Sequence, residues 1–213
     1  MDQPSPEWRA AVRQTLEVLN QQGLHVVGIT SATPDAGVTR LAHALALASS
    51  EAGQRTLLLT FNGSEPEDAA QAGAAAYDVL GPSGRDDITF PLNNAQALKA
   101  TLASFGEYEA VIANLPPVLG SGGAVNAITV ARACDGVVFV CLAGQVTSQQ
   151  VAQASEMMTL AHVNIAGTVL NEEISPPFSE QLARAVFRLT GFAPSLSRRL
   201  YEKLATAQSL QGS

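Results

Sequence analysis

Between Gly28 and Ala46 an apolar run gives way to a loop of small residues and then to an Ala/Leu-rich stretch. Within it Ala32, Gly37, Val38 and Thr39 fall on the frame of a phosphate-binding loop: Gly or Ala, four residues, then Gly-Lys-Ser/Thr. In that motif the loop backbone cradles phosphate, the lysine supplies a charge at the β- and γ-phosphates, and the hydroxyl ligates Mg²⁺. Gly37 and Thr39 are present, but Val38 stands where the lysine belongs. Asp35 places a negative charge inside a loop meant for anions. The spacing announces phosphate chemistry and the residue types remove its cation.

The elements that must position this loop are readable from periodicity. Residues 6–22 predict a helix, with Pro6 in its first turn, Trp8, Val12, Leu16 and Leu19 at helical spacing, and Gly23 at its end. Residues 24–30 form a short, continuously apolar strand, as in a parallel sheet covered on both faces. A helix over about 37–52 follows the loop, then a strand over 55–61. Residues 62–106, rich in Ala, Gly, Asp and Pro, carry two helical patterns, near 65–76 and at 94–105. Beyond them come a strand at 108–114, a helix at about 124–133, a strand at 136–142, a helix at 147–161 and a strand at 165–171. Helices at about 178–190 and 195–209 close the chain. Strands alternating with helices imply right-handed βαβ units. The fold class expected is a three-layer α/β domain, a mostly parallel sheet with helices on both faces, occupying 1–213 as a single domain.

Composition narrows the function classes. The 213 residues are 46% hydrophobic and 15% charged, which suits a packed globule. Net charge is −7 and no Lys/Arg cluster exceeds a pair, so no nucleic-acid partner is expected. No apolar run approaches the roughly 18 residues of a membrane span, and the first residues lack a signal-peptide core. Cys134 and Cys141 lack metal-ligand spacing and read as free, buried thiols of a reducing, cytosolic compartment. His25, His43 and His162 are scattered over different elements, so no metal site is expected.

The order of landmarks resembles the cytoplasmic domain of the bacterial tyrosine kinases (BY-kinases) of capsule and exopolysaccharide systems, relatives of the MinD/ParA ATPases. In that family the loop typically reads I-T-S-A-T-P-G-E-G-K-S-T; Ile29-Thr-Ser-Ala-Thr-Pro34 matches it and Asp35-Ala-Gly-Val-Thr-Arg40 departs. The family's D-x-D after the second strand is replaced by Thr60 and Asn62. Its Y-D-x-V-I-I-D-T-P-P-V is kept in frame by Tyr108-Glu-Ala-Val-Ile-Ala-Asn-Leu-Pro-Pro-Val118, with Asn114 for the aspartate. Asp135-Gly-Val through Ala143-Gly-Gln-Val-Thr147 and Gly167-Thr-Val-Leu-Asn171 match two further motifs. The family's E-x-x-R-x-x-R self-assembly motif keeps Glu7 and Arg13 and has Ala10 in the middle. The same helix reads equally as an amphipathic helix with solvated charges. The family's C-terminal tyrosine cluster is reduced to Tyr201.

The resemblance implies what each substitution removes. Phosphoryl transfer rests on positioning and on stabilising charge at the phosphates and metal. Val38 offers no charge, Asn114 keeps the shape of the metal-holding aspartate without its charge, and Thr60 and Asn62 cannot act as anionic bases. Losing a single transition-state contact costs roughly 10²–10³ in rate, and here four charged positions are neutral. The expected function is a BY-kinase-like pseudokinase, a cytoplasmic scaffold or regulator of polysaccharide synthesis and export with no catalytic residue. The implied partner is the cytoplasmic segment of an inner-membrane chain-length co-polymerase; self-assembly through Glu7 and Arg13 would be the second interaction. The alternatives are an ATPase or tyrosine kinase with a rebuilt site, and a MinD/ParA-like positioning protein.

No cofactor is expected beyond weak, magnesium-independent ATP or ADP binding. Gly37, Thr39 and Asn171 are its candidate contacts, Asn171 because it matches a family position that touches adenine. All three read alternatively as residues that only keep the loop's shape. Arg40, two positions late for the missing lysine, is expected to face outwards. Leu196, Leu200 and Leu204 beside Arg198, Arg199 and Lys203 suggest a last helix that docks on its own domain or lies on a membrane surface.

Overall fold

The computed structural model describes residues 6–62, 76–82, 89–120 and 125–171. In chain order the elements are α1 (Pro6–Gln21), β1 (Val26–Ser31), α2 (Val38–Glu51), β2 (Thr56–Thr60), β3 (Asp78–Leu80), α3 (Ala95–Ala103), β4 (Ala110–Asn114), α4 (Ala127–Ala133), β5 (Gly136–Leu142), α5 (Ser148–Leu160) and β6 (Ile165–Asn171). The strands form one sheet in the order β3-β2-β4-β1-β5-β6. Every pair is parallel, so the mostly parallel sheet expected from the sequence is wholly parallel among the described residues.

Strand periodicity sorts the core into two layers. Val27, Ile29, Leu58, Ile112, Val138 and Val140 face α1 and α2, packing with Val12, Leu16, Leu41 and Leu45. Leu57, Leu59, Val111, Val137 and Phe139 face the other way, against Leu98 and Leu102 of α3, Val130 of α4 and Met158 of α5. A strand buried on both faces has no polar side to show, which is why β1, β2, β4 and β5 read as unbroken apolar runs.

Local chemistry sets the element ends. The Asp135 carboxylate accepts the N–H groups of His25 (3.3 Å) and Val26 (2.9 Å), tying the start of β1 to the turn before β5. Asn94 caps α3 by accepting from Gln96 and Ala97 N–H, and Asn126 caps α4 by accepting from Thr129 N–H. Thr147 and Gln150 form a reciprocal capping box on α5. No helix among the described residues is long and apolar enough to cross a membrane. The helices expected at 65–76, 178–190 and 195–209, with Tyr201 and the Leu196–Leu204 stripe, lie outside the described residues.

Candidate functional site

The loop between β1 and α2 sits at the carboxyl ends of the central strands, where open parallel sheets bind ligands. Register brings the strand ends together: Ile29 and Thr60 both lie beside Asn114, and Leu142 lies beside Asn171. The loop's approach is fixed by the segment after β4. Leu115 N–H donates to Ile29 O (2.9 Å), Val118 N–H to Ser31 O (2.8 Å) and Leu119 N–H to Ala32 O (2.9 Å), while Thr30 Oγ1 donates to Pro116 O (2.7 Å).

Two residues carry the loop through left-handed backbone, Asp35 at φ 60° and Gly37 at φ 86°. Aspartate is among the few side chains that tolerate this region. Gly37 is needed twice over: it is the N-cap of α2, and a Cβ there would stand 2.5 Å from Asn171 Nδ2. Asn171 Nδ2 donates to Ala36 O at 3.0 Å. The sequence places Asn171 at a strand end; the fold lays its amide on the phosphate loop.

Thr39 is the meeting point. Its Oγ1 accepts from Asn62 Nδ2 at 2.8 Å and from Asn114 Nδ2 at 3.2 Å. Asn114 is fully buried, and its Oδ1 has no partner among the described residues. Three of the positions singled out by motif spacing, 39, 62 and 114, therefore form one cluster. Thr60 does not join it; its buried hydroxyl turns to Leu80 O of β3, 3.5 Å away. Val38 is half-buried and packs against the apolar cluster of α1 and α2. Arg40 is exposed and stacks on Trp8, its guanidinium carbon 4.8 Å from the ring centroid. That stack joins α1 to the first turn of α2, a contact that no spacing in the sequence signals.

The other candidates lie apart from the loop. Glu7 and Arg13 are exposed on α1, and Arg13 lines a cleft of about 620 Å³ between α1 and α2 with Glu17, Asn20 and Glu51. His25 bonds to Tyr108 O through Nε2 (2.7 Å), and His43 bonds to Tyr77 OH through Nδ1 (2.9 Å). His162 follows α5 with φ 57°. Burial, with the adjacent Asp135 charge, pushes the Cys134 thiol up to about 12, and burial raises Cys141. A thiol held protonated is a poor nucleophile.

A magnesium nucleotide asks for oxygen donors with free lone pairs, usually including a carboxylate, and for a cation near the phosphates. The residues present do not fit. Two N–H donors converge on the Thr39 oxygen that would face the metal and occupy both its lone pairs, so an amide would have to turn away before it could ligate. The places of the acidic residues hold amides and a hydroxyl. Among the described residues no group of three or more His, Cys, Asp or Glu side chains is arranged to hold a metal ion. The backbone N–H groups at the start of α2 remain the loop's feature suited to an anion.

No family model matches the chain. It is 26% identical over 193 residues to the tyrosine-protein kinase CpsD of Streptococcus agalactiae, covering 78% of this chain and 82% of that one. Its fold matches the kinase domain of the Escherichia coli tyrosine kinase ETK with a TM-score of 0.60 at 23% identity, over 78% of this chain and 76% of that one. It also matches the cell-division protein MinD of Aquifex aeolicus with a TM-score of 0.52 at 14% identity, over 76% and 73% of the two chains. Sequence similarity to CpsD and the motif order agree in likening the chain to the BY-kinases, and its fold is the parallel α/β fold shared by the ETK kinase domain and MinD.

Proposed function

We propose that this protein is a catalytically inactive BY-kinase-like domain, a pseudokinase that acts as a cytoplasmic regulator or scaffold in bacterial exopolysaccharide and capsule synthesis and export. The observation that carries the reading is the cluster at Thr39. Where a P-loop kinase holds a metal against a hydroxyl and carboxylates, this chain puts two neutral amides on that hydroxyl. Val38, in the lysine's place, is spent on packing against α1 and α2. Charge stabilisation is the main device of phosphoryl transfer, and this site has none of it to offer at its motif positions. No metal-dependent step is assigned to the site, and ATP or ADP would bind at most weakly and without magnesium, through Gly37, Thr39 and Asn171.

By its family the partner is the cytoplasmic segment of an inner-membrane chain-length co-polymerase, which would hold the protein at the inner face of that membrane. The exposed Glu7 and Arg13 on α1 are the residues proposed for self-assembly. Two parallel assays test the reading. The purified chain is incubated with ATP and Mg²⁺, scoring ADP release and phosphotyrosine, and is offered the co-polymerase segment in a pull-down without nucleotide. Retention of the segment with no turnover is expected; tyrosine phosphorylation or sustained ADP release by the pure chain would sink the proposal.

A further inference from the structure

We propose that the phosphate loop is clasped by the protein's own asparagines and keeps one closed shape without any nucleotide; this rests on the inactive reading above. The clasp has two grips. On one side Asn171 donates Nδ2–H to Ala36 O at 3.0 Å. The amide fills the notch that Gly37 leaves open, 2.5 Å from the place a Cβ would take. The Asn171 backbone is itself held in register, because Ala143 N–H donates to Asn171 O at 2.9 Å. On the other side Asn62 and Asn114 both donate to Thr39 Oγ1.

The loop is thereby bound to the carboxyl ends of β2, β4 and β6, elements distant in sequence. Nucleotide switches order such loops through γ-phosphate and Mg²⁺ contacts and release them when those contacts are lost. In this chain each grip is an uncharged hydrogen bond between protein groups, made without a γ-phosphate or a metal ion. The consequence is regulatory. Surfaces built on the loop and the first turn of α2 are presented constantly, and a partner reading them needs no nucleotide.

Amide hydrogen exchange of the full chain, read by mass spectrometry, tests this. Of the amides over 37–41, Leu41 N–H is the one donated within the fold, to Gly37 O at 3.0 Å, and wild-type exchange over this stretch should be the same with and without Mg-ATP. In N171D the side chain keeps its shape but cannot donate to Ala36 O. Loss of one such bond speeds local opening by about tenfold, so exchange over 37–41 should rise about that much while β1 and β5 stay protected. N62A, which loosens the other grip, should do the same and serves if N171D fails to fold. Equal exchange in variants and wild type without nucleotide overturns the clasp and leaves the inactive reading standing. A uniform rise over all peptides, β1 and β5 included, also overturns a local clasp. Slower wild-type exchange on adding Mg-ATP overturns the inactive reading, and with it the nucleotide independence.

Discussion

Converting Asn114 to aspartate restores the family's acidic residue, and the structure predicts that it harms this protein. The side chain is 0% exposed, flanked by Ile29 of β1 and Thr60 of β2. A carboxyl buried to this degree is raised by about 3 units. At about 1.4 kcal/mol per unit, ionising it at neutral pH costs about 4 kcal/mol. The Thr39 hydroxyl, 3.2 Å away, can turn to donate to the carboxylate and recovers about 1.5 kcal/mol. The net loss is about 2.5 kcal/mol, or about 5–10 °C in melting temperature for a chain of this size. The sign with pH follows from the raised folded pKa. Below about pH 4 the carboxyl is protonated in both states and the variant matches wild type. As pH rises the unfolded chain releases the proton first, and the deficit grows towards neutrality. Urea unfolding midpoints across that range, with and without Mg²⁺, measure it. A variant as stable as wild type at neutral pH, or one restored by Mg²⁺, would show a compensating cation site and refute the reasoning.

Other outcomes follow from the same geometry. Val38→Lys returns the motif's cation yet leaves Thr39 held by both amides. It should cost about 1 kcal/mol of apolar packing in thermal unfolding and still fail to bind a fluorescent nucleotide. Gly37→Ala combines strained backbone with a 2.5 Å approach to Asn171 Nδ2, whereas Gly53 has φ 89° with open space around it. Gly53→Ala should cost about 1 kcal/mol from backbone alone and Gly37→Ala clearly more, as compared by denaturant midpoints. Cys134, raised to about 12 from 9.0, should resist thiol labelling in the folded chain and react once it is unfolded. Because the folded state holds that proton more tightly, its contribution is full below pH 9.0 and fades as pH climbs towards about 12.

Most of the scaffold was legible because parallel strands buried on both faces leave an unmixed apolar signature. Residues 24–30, 55–61, 108–114 and 136–142 carry that signal, and β1, β2, β4 and β5 occupy them to within two residues at either end. Strand β3 escaped because Asp78-Val-Leu80 is three residues long, too short for any period, and is found by its pairing with Leu57–Leu59. At the site, motif spacing located Thr39, Asn62, Asn114 and Asn171 but not what they touch. That Asn62 and Asn114 share one hydroxyl depends on the convergence of β2 and β4 beside the loop. That Asn171 grips Ala36 depends on contact across 135 positions. Val38 is a missing cation in the sequence; in the fold it is also a packing residue of the α1–α2 layer. Trp8 over Arg40 arises from how α1 crosses α2, a tertiary fact with no local pattern.

The central claim is that the loop no longer holds a magnesium nucleotide, and calorimetric titration of the wild-type chain with ATP and ADP tests it most directly, with and without Mg²⁺. The account predicts either no measurable heat or weak binding that magnesium does not strengthen, since Thr60, Asn62 and Asn114 stand at the motif's acidic places and Thr39 is already engaged. Micromolar binding that requires Mg²⁺ would contradict it.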